Sequence, residues 1–498
     1  MNFEVTKNQN QIKKRINGTN IEKIFLIAFL SVLIYQIFLP PHIGIADNGD
    51  FVRITDKVGI SQGEDKKYFE YYNLTFPINF RFTIKGYQSS EFLLLLSAIG
   101  LNAILSKDGN FHLLILAGIH CLAFLSGLVF FALGSAGVFP RWKLITYVLI
   151  FFFFTDVGYI SYLNSIYSEP ASLIFLTASI GLFVFILKVS TTRPISIKWI
   201  LFFMLVGFLF VIAKPQNAAM GLFIAYITYR LTILLPETQF PLRWRRVVGY
   251  GFAFSLVGVS FLFFAFGLPR YYRSGDLWNS IFMEIIGRSE SPEKDLEALG
   301  LPKAMIIYKG TNAFSEGVNR NEYELFQKSW LYFNVLRFYL LHPDRLIDLM
   351  HDSTKYAFEL QQENLGNFDA SSGMPPYAQS QSFAVWHNLR EALLPKSIWT
   401  LIILLVVNLS AVVIKRRWID HRIQDGLLSE LHLAIIGMAV FQYLTVLMAE
   451  GTFELVKHMF LFNVLLDVCL IFLVVYFTAM ISKSLSVGMN LLKWSVNR

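Results

Sequence analysis

The sequence predicts an all-α fold, a polytopic membrane bundle of about ten helices carrying two large loops on one face. Three observations lead there. Hydrophobic residues fill 55% of the 498 positions and charged residues only 16%, a balance that no water-surrounded core requires. About ten separate apolar runs approach the roughly 20 residues that cross a bilayer. The basic residues gather at alternate junctions between those runs, as expected for cytosolic loops.

The first apolar run, Ile24 to Leu39, follows Lys7, Lys13, Lys14, Arg15 and Lys23, so the tail before it is expected in the cytosol. It ends in Pro40-Pro41-His42 without a small-residue cleavage pattern, which favours an uncleaved anchor over a signal peptide. The next stretch, Phe92 to Leu105, has 14 residues and includes Ser97, Gly100 and Asn102. That suits an interfacial or re-entrant helix better than a span. If it does not cross, the clusters Arg141/Lys143, Lys188/Arg193/Lys198, Arg243/Arg245/Arg246 and Lys415/Arg416/Arg417/Arg422 all fall inside, each with a tryptophan nearby (Trp142, Trp199, Trp244, Trp418).

Spans then run near 24–40, 112–133, 143–160, 170–188, 198–213, 217–235, 247–267, 396–414, 431–449 and 459–481. An even number of crossings puts both termini in the cytosol. Two outer loops remain, near 41–111 and 268–395, dividing the chain into an N-terminal bundle (1–267), a loop region (268–395) and C-terminal spans (396–498). In the second loop, Phe326, Trp330, Phe333, Leu336 and Leu340 recur at helical spacing, and Leu346, Leu349, Met350 and Ser353 continue after His342-Pro343. Two amphipathic helices follow, lying on the bundle or the membrane surface, or forming a small domain of their own. Gly366 to Tyr377, rich in Gly, Ser and Pro, reads as a flexible loop.

The net charge of +8 fits anionic lipid at the cytosolic face, so no nucleic-acid partner is expected. Cys121 and Cys469 sit within apolar runs and read as packing residues. So do His112, His120 and His432, which are scattered singly. No Gly-rich phosphate loop, His-Glu-x-x-His or Gly-x-Ser-x-Gly occurs, which leaves nucleotide hydrolysis, zincin chemistry and serine hydrolysis unsupported.

Polar chemistry gathers at four outer positions. Asp47 and Asp50 flank Asn48-Gly49, where glycine permits a sharp turn, and Arg53 adds a cation suited to phosphate. Glu169 opens the fourth span within Tyr-Ser-Glu-Pro, a position that also suits a helix cap, with Asp156 a lesser candidate nearby. Lys214 is the only basic residue of a short outer turn, where it could also snorkel. Glu450, Glu454 and His458 follow four-residue spacing and would share a helical stripe, with Lys457 adjacent. Asp467, with Asn463 on its face, lies deeper in the last span, where a carboxylate needs a cavity or a partner.

This arrangement resembles the GT-C superfamily of integral-membrane glycosyltransferases and, more narrowly, bacterial hexosyltransferases that build surface glycans. Asp47 and Asp50 in Ala-Asp-Asn-Gly-Asp-Phe, and Glu169 in Tyr-Ser-Glu-Pro, carry the resemblance. The family motif is often Asp-Asp, Asp-Glu or Asp-x-Asp; this chain has Asp-x-x-Asp, which leaves Asp50 or Asp47 as the base. The resemblance implies a hexose moved from a polyprenyl-phosphate donor to a glycan or lipid-linked acceptor on the extracytoplasmic face of a bacterial plasma membrane. A carboxylate would take the acceptor proton, Glu169 would orient the base or the acceptor, and Arg53, Lys214, Lys457 and His458 would stabilise the leaving phosphate. No cofactor is required by it; a divalent metal between Asp47 and Asp50 would suit the chemistry but is not predicted. The competing functions are an O-antigen-type polymerase or ligase and a lipid-linked glycan transporter. The first would favour loop Arg and His residues without an early acidic cluster, and the second paired, broken helices in related halves.

Overall fold

The computed structural model describes residues 20–63, 67–138, 141–318, 326, 331–418 and 422–496. Lys7, Lys13, Lys14, Arg15 and Trp330 of the sequence reading lie outside them. Within the described residues the chain is mostly helical. Among the described residues, eight helices are long and apolar enough to cross a membrane: Asn20–Phe38, Leu113–Val138, Glu169–Ser190, Pro215–Leu234, Leu242–Phe266, Ile398–Arg417, Ile423–Glu450 and Phe460–Ser484.

The other two expected spans are helical but differ in form. Lys143–Phe154 and Val157–Asn164 meet at 65°, so this segment is a ninth span only if the bent pair is counted as one. The break follows from Asp156, whose Oδ1 accepts from the Gly158 amide at 2.9 Å and starts a new helix, while the Thr155 carbonyl is taken by buried Gln36 at 2.8 Å. Ile197–Val211 has 15 residues, about 22 Å of rise, and stops just before Lys214-Pro215. It falls short of a full hydrocarbon thickness.

Small residues bring Leu113–Val138 and Glu169–Ser190 into close backbone contact. A Cβ on Gly181 would stand 2.2 Å from the Gly127 carbonyl oxygen, so only glycine fits at this crossing. The basic residues collect at one end of the bundle. There Lys143 pairs with Glu22 at 3.1 Å, Arg230 and Arg416 both reach Glu430, and Lys415 bonds Ser429 at 2.9 Å.

The opposite end is capped by both large loops. In the first, Thr75–Pro77 pairs antiparallel with Asn110–His112, and Glu91–Leu105 forms a 15-residue helix. That helix buries Leu95, Ala98 and Asn102 and exposes Leu93, Ile104 and Leu105. In the second, Leu331–Leu341 and Pro343–Ala357 appear where the periodicity puts them. The second of them docks on the bundle: Tyr443 Oη donates to the Met350 carbonyl at 2.9 Å and stands 2.9 Å from Ser353 Oγ. The 366–377 segment is a loop tied at both ends to the first loop. Gly366 and Tyr377 amides donate to Phe69 and Glu70 carbonyls, and a Cβ on Gly366 would meet the Glu70 oxygen at 2.1 Å.

Candidate active site at the loop-capped end

Five segments converge here. In the first, Asp47 Oδ1 accepts the amides of Gly49 (2.7 Å) and Phe51 (3.1 Å), and Gly49 takes φ 102°, a region that favours glycine. This turn leads into Val52–Thr55, which sets Arg53 three residues beyond Asp50 and 2.9 Å from its Oδ1. In the second, Tyr167 Oη donates to the Ala46 carbonyl at 2.8 Å and accepts from the Asn48 amide at 2.9 Å, tying the turn to the segment before Glu169–Ser190.

The third is Lys214, whose Nζ lies 2.8 Å from Glu169 Oε1 with both residues buried. Lys214 therefore does not snorkel, and Glu169 does more than begin a helix. In the fourth, Ile423–Glu450 ends in a left-handed turn with Gly451 at φ 67° and Glu454 at φ 45°. Glu284 fixes that turn by accepting the Thr452 amide at 2.7 Å and its hydroxyl, while Arg288 holds the same carboxylate at 2.7 Å. The turn replaces the continuous stripe expected of Glu450, Glu454 and His458. Glu454 instead accepts from Asn48 Nδ2 at 2.6 Å, and His458 Nε2 lies 2.5 Å from Glu450 Oε2. The fifth segment, helix Arg270–Trp278, lays Tyr272 against the Arg53 guanidinium at 5.0 Å, opposite Tyr87 at 5.9 Å.

Lys457 is the buried centre, 1% exposed. Its Nζ pairs with Asp50 Oδ2 and stands 3.1 Å from Asn48 Oδ1 and 4.4 Å from the Tyr167 ring. Asp50, Arg53, Tyr87, Tyr167, Glu169 and Lys214 line one cleft.

Electrostatically the two aspartates diverge. Burial pushes the Asp47 carboxyl up to about 6, against the amides of Phe51 and Gly49 and with the Asp50 charge adding to the rise. Burial also opposes ionisation of Asp50, but Arg53 and Lys457 outweigh it and hold that carboxyl well below the usual range. Asp276, on the Arg270–Trp278 helix, is pushed well above it by burial and by the Glu450 carboxylate.

The structure thus brings together Asp47, Asp50, Arg53, Glu169, Lys214, Glu450, Glu454, Lys457 and His458. His458 is committed to Glu450, with Gln216 3.4 Å from its Nδ1, which leaves it less open to a phosphate than Arg53. Asp156 and Asp467 belong elsewhere. Asp467 is fully buried and receives Arg390 Nη1 at 3.0 Å, Trp386 Nε1 at 2.8 Å and the Tyr159 hydroxyl at 2.5 Å. Asp156 accepts the His387 amide at 2.9 Å. Both anchor helix Val385–Leu393 to the bundle. Sequence reasoning missed Asp276, Glu284, Tyr87, Tyr167, Tyr272 and Arg390. Among the described residues, no group of three His, Cys, Asp or Glu side chains is placed to share a metal ion.

Neither the curated proteins nor the solved structures give a match to this chain. A family model does, over residues 6–490. The chain belongs to the family described as the YfdI N-terminal transmembrane domain, and is an integral membrane protein.

Proposed function

We propose that the chain is a membrane glycosyltransferase that moves a hexose from a polyprenyl-phosphate donor to a glycan or lipid-linked acceptor. One arrangement carries this reading: two carboxylates three residues apart share a turn beside a partly open arginine, Asp50 paired with Arg53 and Lys457 and Asp47 bonded only by amide groups. Paired groups whose surroundings separate their proton affinities mark a division of acid-base labour. Asp47, raised to about 6, is matched to accept a proton near neutral pH, whereas Asp50 stays ionised and organises cations.

In the reaction, the acceptor hydroxyl oxygen attacks the anomeric carbon while its proton passes to Asp47. The bond from that carbon to the phosphate oxygen breaks, and the polyprenyl phosphate leaves with the electron pair. Arg53 is suited to receive it. Its side chain is 20% exposed, its Nε is buried without a hydrogen-bond partner, and two tyrosine rings fix its plane. Lys457 and Lys214 add positive field from behind Asp50 and Glu169.

In this reading the basic end of the bundle faces the cytosol with both termini, and the capped end is extracytoplasmic in a bacterial plasma membrane. Ile197–Val211 completes a set of ten crossings, and Glu91–Leu105 lies at the interface. The donor tail then rests in lipid with its phosphate at the depth of Arg53. The test is transfer of labelled hexose from polyprenyl-phosphate hexose in proteoliposomes. Wild-type protein should incorporate label into glycan and Asp47→Asn should not; absence of transfer by the wild type overturns the reading.

A further inference from the structure

The exposed face of the first span ends at an uncharged cavity. Ile24, Ile27, Leu30 and Ile34 are exposed at helical spacing along Asn20–Phe38, a lipid-facing stripe, and Tyr35, 54% exposed, stands at its end. Against Tyr35 and Leu39 the second loop encloses about 490 Å³, within the roughly 300–1,000 Å³ of small-molecule sites. Phe368, Met374, Gln379, Gln381 and Ser382 line it from the loop, and no charged side chain is among the lining residues. The cavity shares no residue with the Arg53 cleft.

Its depth follows from the next element of the chain. The loop leads straight into helix Val385–Leu393, whose inner face is fixed by Trp386 and Arg390 bonding to Asp467. The outer face exposes Val385, Leu389 and Leu393, four residues apart. An apolar stripe on the outside of a helix at the end of a membrane bundle belongs at the boundary between lipid and water, so the cavity opens at headgroup depth. At the junction Phe383 takes φ 59°, uncommon for a bulky side chain, and its ring meets Tyr35 edge-on at 5.9 Å. The polar groups of the lining are open. The side chains of Gln381 and Ser382 make no hydrogen bond to a described residue, and Gln379 spends its amide nitrogen on the Gln362 carbonyl at 2.6 Å.

We propose that this cavity binds the uncharged sugar headgroup of a glycolipid whose tails lie along the first span. A phospholipid head carries a phosphate and calls for Lys or Arg, which the lining lacks. A sugar head needs flat apolar cover for its C–H faces and neutral donors and acceptors for its hydroxyls. Tyr35 and Phe368 supply the first, and Gln379, Gln381 and Ser382 the second. The tails need apolar surface turned to the bilayer, and Ile27, Leu30 and Ile34 provide it. The inference goes beyond the transfer reaction and does not depend on it. The phosphate-bearing donor belongs at Arg53, whereas this site selects a second lipid by its lack of charge.

The experiment uses the full chain in phosphatidylcholine nanodiscs containing equal amounts of glucosyl-diacylglycerol, diacylglycerol and phosphatidylglycerol. Native mass spectrometry counts the lipid that the released protein retains. Wild type should retain glucosyl-diacylglycerol about tenfold more than either competitor. Gln381→Ala and Tyr35→Ala, both at exposed positions, should each lower that retention about tenfold while the thermal unfolding temperature stays at the wild-type value. Tyr35→Phe, which keeps the ring, should retain the lipid. Equal retention of diacylglycerol overturns the assignment, because the tails alone would then account for binding. Preference for phosphatidylglycerol overturns it as well, and so does unchanged retention in both alanine variants. Displacement of the lipid by soluble maltotriose would make this a site for free glycan and overturn the glycolipid. Transfer from polyprenyl-phosphate hexose is read separately, and none of these outcomes decides it.

Discussion

Lys457 donates to Asp50 across 407 positions of sequence, and the same carboxylate receives Arg53 from its own helical turn. Asp50 is therefore a bridge between two cations, not a free proton acceptor. In the proposed reaction these are cations for the leaving phosphate, with Asp50 setting their positions. The neighbouring Asp47 has no cation paired with its carboxylate, so the rise that burial imposes on its proton affinity is not overturned. Burial acts on both; the nearby cations decide the outcome.

A pH profile separates the two. A general base must be ionised to act, so with Asp47 at about 6 the transfer rate should rise as pH rises through 6 and level off above it. Asp47→Asn should flatten that limb and lower the rate by about 10²- to 10⁴-fold. Asp50, held well below the usual carboxylate range, stays charged throughout and contributes no limb near neutrality. A wild-type limb that persists in Asp47→Asn would assign the base elsewhere, with Asp276 next in line.

Arg53 is the cation with room for a ligand. Arg53→Gln should weaken binding of polyprenyl phosphate by about 10- to 100-fold, the loss of one charged hydrogen-bonding partner. Equilibrium binding to protein in nanodiscs reads this directly. Lys214→Gln should act less on binding and more on rate, since Lys214 touches Glu169. Equal losses in the two variants would argue against Arg53 as the phosphate ligand.

Arg390 and Asp467 test stability away from the chemistry. Both are 0% exposed, so removing one charge strands the other in a medium that cannot solvate it. Asp467→Leu should cost about 3–5 kcal/mol, and pairing it with Arg390→Met should recover much of the loss. Thermal unfolding in detergent measures this. A single variant as stable as wild type would mean that water reaches the pair.

Much of the architecture could be read from patterns local to the chain. The apolar runs became helical, that near 143–160 as two helices broken at Asp156, and the Pro343 boundary between two loop helices fell where expected. The Asp47–Arg53 turn and the start of a helix at Glu169 were legible because glycine and proline constrain backbone locally. Tertiary partners were not. Asp467 looked like a site candidate because a carboxylate in a span needs a partner, but the partner, Arg390, sits 77 residues away on a helix whose docking no spacing reveals. Glu450 and His458 do meet, though by a left-handed turn at Gly451 and Glu454, and not by the helical stripe their spacing suggests. Asp276 stood alone in a polar stretch, and only packing of its helix over Arg53 gives it meaning.

Orientation has its own test. Asn73 lies in the capped end and Trp244, 60% exposed, beside the basic clusters at the other. Arg245, a natural alternative, is only 8% exposed and would label poorly. The chain's two cysteines, Cys121 and Cys469, are both buried and unpaired, so a Cys-free background disturbs only packing. In that background, Asn73→Cys in intact cells should react with an impermeant thiol reagent, and Trp244→Cys should react only after the membrane is opened. The capped end holds the proposed donor cleft, so the labelling pattern decides its side. The reverse pattern would put the cationic cleft in the cytosol, where the basic clusters would face outward against their usual bias. The site's geometry would survive that result, but an extracytoplasmic polyprenyl-phosphate donor would not reach it.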